Sequence, residues 1–152
     1  MISQELYLKL NKDFEVEKLT DDWKKMDFNE YISENFKKRY MGLVLDNSKE
    51  VNKVYTAVFP EEKILNKILD SGEKDVLLFT HHPMVWDITA EKIFKDIRQE
   101  YLKKFKENRI SLYTLHVPLD KNGQYSTTEN FAKAIGIIKK MNFASILALR
   151  WE

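Results

Sequence analysis

The sequence lacks the residues from which several common kinds of site are built. It contains no cysteine, which excludes disulfides and thiolate sites and argues against a closed structural zinc site. It has only 4 glycines, and because none are clustered, no glycine-rich phosphate-binding loop is present. No stretch is apolar for long enough to span a membrane.

The sequence also lacks a strong net charge. Its 25 Lys and Arg residues are balanced by 24 Asp and Glu residues, which gives a formal net charge of +1. A chain with so little net charge has no overall field that favours nucleic acid or an anionic membrane as a partner. Acidic residues interrupt the apolar residues of the first segment, so no signal peptide is predicted. We therefore expect a cytoplasmic protein.

The length and composition indicate one globular domain. The chain has 152 residues, of which 43% are apolar and 32% are charged, as is ordinary for a protein with a buried core. We therefore interpret residues 1–152 as a single α/β domain.

From residue 42 onward, the hydrophobic pattern alternates between strands and helices. Short apolar or β-branched runs predict strands over residues 42–45, 51–59, 76–79, 110–115 and 146–151. Helical spacing predicts helices between Pro60 and Gly72, over 89–108 and over 126–136. This alternation predicts a mainly parallel sheet covered by helices.

The pattern before residue 42 is less regular. Apolar residues at helical spacing predict a short amphipathic helix over 2–10, and weak alternation predicts a short strand over 14–19. Thr20 fits the N-cap of a helix that reaches about Tyr40, with a break near Asp27. We interpret the aromatic residues of this helix as core or subunit interface.

The first candidate stretch, DVLLFTHHPMVWD over 75–87, ends a buried strand in two histidines. Adjacent side chains on a strand point to opposite faces, so His81 and His82 can converge only if the strand breaks up there. Pro83 favours such a break because it removes a backbone donor.

The second candidate stretch, ISLYTLHVPLD over 110–120, repeats this arrangement. Its strand ends in His116, followed by Pro118 and Asp120. The sequence has 3 histidines, so all of them lie at these two strand ends, where open α/β sheets bind their ligands.

Four side chains at these strand ends therefore predict a divalent metal site: His81, His82, His116 and Asp120. Imidazole suits Zn or Fe, and a carboxylate extends the range toward Mn and can bridge two ions. Two alternatives stay open. The histidines are ordinary hydrogen-bonded residues, or His116 is a general base in a site without metal. No Ser or Cys stands at a recognisable nucleophile elbow, which weakens a hydrolase triad.

At these residues the sequence resembles a known family. THHPMVW resembles the HHP-type signature of the Nif-three-like dinuclear metal-centre proteins, also called GTP cyclohydrolase 1 type 2 homologues. LYTLHVPLD resembles their second signature, a strand that ends in His, three residues and then Asp. The helix STTENFAKAIG and the earlier strand at Met41-Gly42-Leu43 are also similar, so that the resemblance runs from about Gly42 to Ile138.

The resemblance implies an α/β fold of the Nif-three-like kind, with His81 and His82 as metal ligands and Asp120 as a ligand that bridges two ions. It places His116 at the site, as a further ligand or a catalytic group. It also implies metal-dependent hydrolysis of a nucleotide or phosphoester-type substrate by a homo-oligomer, commonly a hexameric ring. The alternative is a non-catalytic metal-binding or assembly module.

The sequence departs from this family near its end. The resemblance implies a further His and Glu near the C-terminus that complete a dinuclear site, but this chain has no fourth histidine. The chain thus resembles the N-terminal portion of the family fold, and we expect at most one tightly held ion per chain.

Overall fold

The computed structural model describes residues 1–21, 30–121 and 123–137. Within these ranges the strands are, in chain order, β1 (Gly42–Leu45), β2 (Lys53–Ala57), β3 (Val76–Thr80), β4 (Val85–Trp86), β5 (Phe94–Lys95) and β6 (Ile110–Thr114). The central sheet has the strand order β1-β6-β3-β2, and β4 and β5 form a separate antiparallel hairpin.

Helices cover the central sheet. Gly72, at a φ of +67°, follows the end of the third helix, as its position in the sequence predicts. None of the helices in the described ranges is long and apolar enough to cross a membrane. In chain order, the helices are α1 (Ser3–Asp13), α2 (Glu34–Arg39), α3 (Glu62–Asp70), α4 (Gln99–Glu107), α5 (Val117–Asp120) and α6 (Thr127–Ala134).

The central sheet is mainly parallel, which confirms the predicted α/β class. Strands β2, β3 and β6 run parallel, with Thr80 of β3 beside Thr114 of β6. Strand β1 pairs antiparallel to β6, and their register shifts between Leu43 and Leu45. The carboxyl ends of β3 and β6 therefore lie side by side at one edge of the sheet.

Alternating side chains of β3 and β6 fill a core on each face of the sheet. Val76 and Leu78 pack with residues of α2, α3 and α4, including the fully buried Phe36 and Phe105. Leu77 packs on the opposite face with residues of α1 and the segment that follows it. Burial on both faces explains why these strands are apolar at nearly every position.

The helix predicted over 89–108 is wrong in its first half, because only α4, from residue 99, is helical. Residues 85–95 form the β4–β5 hairpin instead. The Asp87 carboxylate accepts hydrogen bonds from the backbone N–H of Thr89 (3.0 Å) and its hydroxyl (2.7 Å), which closes a turn. Trp86 then stacks on Phe94 across the hairpin, with ring centroids 6.0 Å apart.

The predictions for the N-terminal segment are also corrected in part. The strand predicted over 14–19 is wrong, because Glu15 takes a left-handed conformation after α1 and Val16–Lys18 form a 3-10 turn. The long helix is described only as α2, and Ser33 caps it by accepting a hydrogen bond from the Phe36 N–H at 3.1 Å. The break predicted near Asp27 and the strand predicted over 146–151 lie outside the described residues.

We predict that Leu78→Ala lowers the free energy of unfolding by about 2–5 kcal/mol, because Leu78 is fully buried and its truncation leaves a cavity. Leu8→Ala is the matched control: Leu8 is 67% exposed, so the expected change is within about 0.5 kcal/mol. Urea unfolding followed by circular dichroism measures both. Equal losses would contradict the core position of β3.

Candidate metal centre

The backbone at the ends of β3 and β6 positions the three histidines. The N–H groups of His81 and His82 donate to the carbonyls of Ala57 (3.1 Å) and Val58 (2.9 Å), so β3 stays attached to the chain after β2. The Leu115 N–H donates to the Thr80 carbonyl at 3.0 Å. These bonds keep the ends of β3 and β6 side by side, and His116 follows Leu115 directly.

The three imidazole rings form a triangle. The ring centroid of His81 lies 4.4 Å from that of His82 and 4.9 Å from that of His116, and the remaining pair is 4.8 Å apart. One ring nitrogen from each lies within 4.8 Å of the others. Nitrogens bound to one tetrahedral zinc ion, at about 2.0–2.1 Å per bond, lie about 3.3–3.4 Å from one another, so the most widely separated pair would have to approach by about 1.4 Å to share one ion.

Asp120 closes the cluster from the end of α5. One carboxylate oxygen lies 3.4 Å from His81 Nε2, and the other lies 3.3 Å from His116 Nε2. The carboxylate therefore spans two histidines that come from different strands, and its side chain is half exposed. The structure brings together all four predicted residues, while their roles as ligands, and that of His116 in catalysis, stay predictions.

Hydrogen bonds assign the protons on two of the rings. His81 Nδ1 lies 3.0 Å from the Leu115 carbonyl oxygen, and His116 Nδ1 lies 2.8 Å from a carboxylate oxygen of Asp21. Both partners accept, so each Nδ1 carries a proton and donates it. In the neutral rings, each Nε2 then has a lone pair on the side of Asp120.

This arrangement concentrates electron density at one point. The two Nε2 lone pairs and the Asp120 carboxylate face one another across 3.3–3.4 Å, and such groups repel unless a proton or a cation lies between them. Neutral imidazoles and a carboxylate are a donor set that divalent ions prefer. The residues present therefore fit a divalent metal ion.

Asp21 is the member of this site that sequence reasoning missed. Its side chain is only 13% exposed, and its backbone N–H donates to the Arg39 carbonyl at 2.9 Å. Asp21 lies 95 residues before His116, so only the tertiary fold brings them together. A carboxylate that binds the outer nitrogen of a histidine fixes the ring and makes its other nitrogen a better metal ligand.

The surroundings shift the pKa values of two histidines in opposite directions. For His82, burial and the neighbouring His81 and His116 rings lower the pKa to about 4. For His116, burial lowers the pKa, but the hydrogen bond and charge of Asp21, together with the charge of Asp120, outweigh burial and raise it overall. His82 is therefore neutral at physiological pH, the form that binds metal.

With this geometry in place, comparison with known proteins assigns the family. The family model Duf34/NIF3 (NGG1p interacting factor 3) matches residues 28–147, a range that contains all four predicted site residues but not Asp21. The chain belongs to the Duf34/NIF3 family. This confirms the family that the two histidine signatures indicated.

The curated relatives that this chain matches are longer than this chain. It is 30% identical to a GTP cyclohydrolase 1 type 2 homolog of Borreliella burgdorferi over 120 residues, which is 78% of this chain and 45% of that protein. A protein of the same name from Buchnera aphidicola is 28% identical over 109 residues, 70% of this chain and 40% of that protein. The chain therefore spans less than half the length of these relatives.

Two solved structures share the fold of this Duf34/NIF3 chain. Protein ybgI, described as of unknown function, superposes with a TM-score of 0.61 at 21% identity, covering 90% of this chain and 47% of that one. TTHA1606 from Thermus thermophilus superposes with a TM-score of 0.56 at 22% identity, covering 90% and 48%.

We predict that Asp21→Asn lowers the pKa of His116 in metal-free protein, because it removes a negative charge but keeps a hydrogen-bond acceptor. Metal affinity should fall by roughly 10- to 100-fold. A histidine NMR titration and a metal titration measure the two effects. Asp13→Asn, at the exposed end of α1, is the control and should change neither. An unchanged His116 pKa in Asp21→Asn would contradict the contact.

The lowered pKa of His82 predicts an acid-dependent loss of stability in metal-free protein. Between pH 6.5 and about 4, the unfolded chain binds a proton at His82, whereas the folded chain does not. The free energy of unfolding therefore falls as the pH is lowered through this range. Replacing His82 with Asn should make the loss shallower.

His116→Asn is the opposing control for this measurement. Its raised pKa means that His116 adds stability which is full below its unfolded pKa and is lost as pH rises through its folded pKa. Its removal should therefore abolish a loss of stability as pH rises above about 6.5, and it should not steepen the loss below that pH, because the His116 charge itself helps to lower the pKa of His82. Urea unfolding at several pH values, with a chelator present, measures all three slopes. Equal slopes in the three proteins would show that the histidines do not differ in environment.

Proposed function

We propose that this protein binds a divalent metal ion and hydrolyses a nucleotide or phosphoester-type substrate at that centre. The observation that carries the proposal is the convergence of three imidazoles and one carboxylate at the ends of two adjacent parallel strands. Membership of the Duf34/NIF3 family supports it, and so does the nucleotide in the name of the curated relatives.

The proposal assigns a task to each residue of the cluster. His81, His82 and Asp120 hold the ion, which is Zn, Fe or Mn, and the Leu115 carbonyl keeps the His81 ring in place. The chemistry that a divalent ion supplies when bound is Lewis-acid polarisation of a phosphoryl oxygen.

His116 has two candidate roles, and its Nε2 atom cannot fill both at once. Its Nε2 either binds the ion or exchanges a proton during hydrolysis. The second role is supported by its raised pKa, which the hydrogen bond and charge of Asp21 bring about against the effect of burial. Asp21 serves either role, because it holds the ring through Nδ1.

A non-catalytic metal-binding or assembly module is the second candidate function. Several large apolar side chains are exposed, including Phe131 (66%) and Ile135 (57%) on α6 and Ile88 (76%) in the β4–β5 hairpin. Exposed apolar surface of this kind is typical of protein–protein interfaces. It is consistent with a homo-oligomer, for which the family resemblance implies a hexameric ring, and it would serve a module that only assembles.

We predict that the ligands act as a unit. Removing any one of His81, His82 or Asp120 by alanine substitution should lose most of the metal affinity, and the His81/Asp120 double variant should lose little more. The measurement is metal content after dialysis, with at most one ion expected per chain. Asp46→Ala, which removes a surface carboxylate that binds Gln4, is the control and should keep the metal.

His116→Ala then separates the candidate roles. A ligand should behave like the other three, whereas a proton-transfer residue should keep most of the metal and lose hydrolysis of a nucleotide or model phosphoester. Wild-type protein that holds metal but hydrolyses none of these compounds would favour the non-catalytic module. Strictly additive losses, or unchanged metal content in Asp120→Ala, would contradict a single site.

A further inference from the structure

A cleft of about 830 Å³ adjoins the candidate metal centre. It lies between the start of α3, the β4–β5 hairpin and the start of α4, and Phe59, Trp86, Ile88 and Tyr101 line it. Its size is typical of sites for small organic ligands, which combine apolar and aromatic walls with a few polar groups.

The cleft and the metal centre share one wall. The His82 ring stacks on Phe59, with centroids 4.7 Å apart and an interplanar angle of 19°, and the Trp86 ring lies edge-on to it at 6.1 Å. Both aromatic residues line the cleft. A molecule that contacts Phe59 or Trp86 in the cleft would therefore be separated from His82, a predicted metal ligand, by a single aromatic side chain.

The charges around the cleft do not favour an anion. Among the residues that the structure describes, four carboxylates line it against two cations, and each cation already pairs with a carboxylate. Arg98 Nε lies 2.8 Å from a Glu62 oxygen, and Lys95 Nζ lies 3.5 Å from an Asp87 oxygen. Glu61, which pairs with Lys63 at 2.9 Å through one oxygen, adds a further carboxylate to the same wall. This surface repels phosphate and accepts hydrogen bonds from N–H groups.

We propose that the cleft binds the nucleobase of the substrate, while the phosphate end lies at the metal centre. The inference rests on the proposed function and names the part of the substrate that the chain recognises. Trp86 is 45% exposed and is supported from behind by Phe94, so it offers an indole surface on which a flat base stacks. The carboxylates accept from the N–H edge of the base.

The test uses the full chain with a chelator present, so that no metal contributes. Guanosine is the probe, because it has a purine ring, N–H donors and no phosphate, and NMR titration measures its affinity. We expect binding, and we expect Trp86→Ala to weaken it by roughly 5- to 150-fold, the range for loss of one base–aromatic stack. Phe131→Ala removes a more exposed aromatic residue, which does not line the cleft, and should leave binding unchanged.

A second variant guards against misfolding of Trp86→Ala. Ile88→Ala alters a side chain that is 76% exposed, so it loses little packing in the free protein but removes an apolar surface against which the base would lie. It should also weaken guanosine binding, and thermal melting should show both variants folded. Failure of guanosine to bind the wild type, or equal binding to both variants, would overturn the proposal.

Two further titrations test the orientation of the substrate and the contribution of the metal. Inorganic phosphate should not displace guanosine from metal-free protein, and displacement would overturn the assignment of the cleft to the base. With Mn²⁺ added, guanosine monophosphate should bind more tightly than guanosine, and equal affinities would overturn the placement of the phosphate. Guanosine binding that depends on Trp86 in a chain that holds no metal would support the cleft and refute the proposed function.

Discussion

The in-register pairing of β3 with β6 is the interaction on which the candidate site depends. It places Thr80 beside Thr114, and their buried hydroxyls lie 2.8 Å apart directly beneath the histidines. Apolar side chains on both faces of the two strands hold this register, because a shift by one residue would turn each of them to the opposite face. The histidines can therefore be arranged by the core without the help of a metal.

That arrangement has an electrostatic consequence. The two strands hold three imidazoles and a carboxylate close enough to repel one another. The surroundings shift the pKa values of two histidines in opposite directions: burial keeps His82 neutral, while Asp21 favours the charged form of His116. A divalent cation relieves the same repulsion for all four groups at once. The cluster and the aromatic cleft meet at the His82 ring, so the candidate metal site and a cleft with aromatic walls are adjacent.

The sequence was most informative where local pattern and tertiary structure agree. Strands buried on both faces are recognisable as short apolar runs, so β3 and β6 were predicted, and the histidines that end them followed directly. The β4–β5 hairpin was missed because Ile93 and Phe94 also fit a helical stripe, whereas the turn at Asp87 and the stack on Trp86 decide the outcome. Asp21 could not be predicted, because no spacing in the sequence relates it to His116.

The most direct test of the central claim, that the strand-end histidines ligate one metal ion, is X-ray absorption spectroscopy of the zinc-loaded protein. We predict that the ion is surrounded by nitrogen and oxygen only, at about 2.0–2.2 Å, with outer-shell scattering from two or three imidazoles. His82→Ala should reduce that imidazole signal. A spectrum without imidazole scattering, or one that His82→Ala leaves unchanged, would contradict the claim.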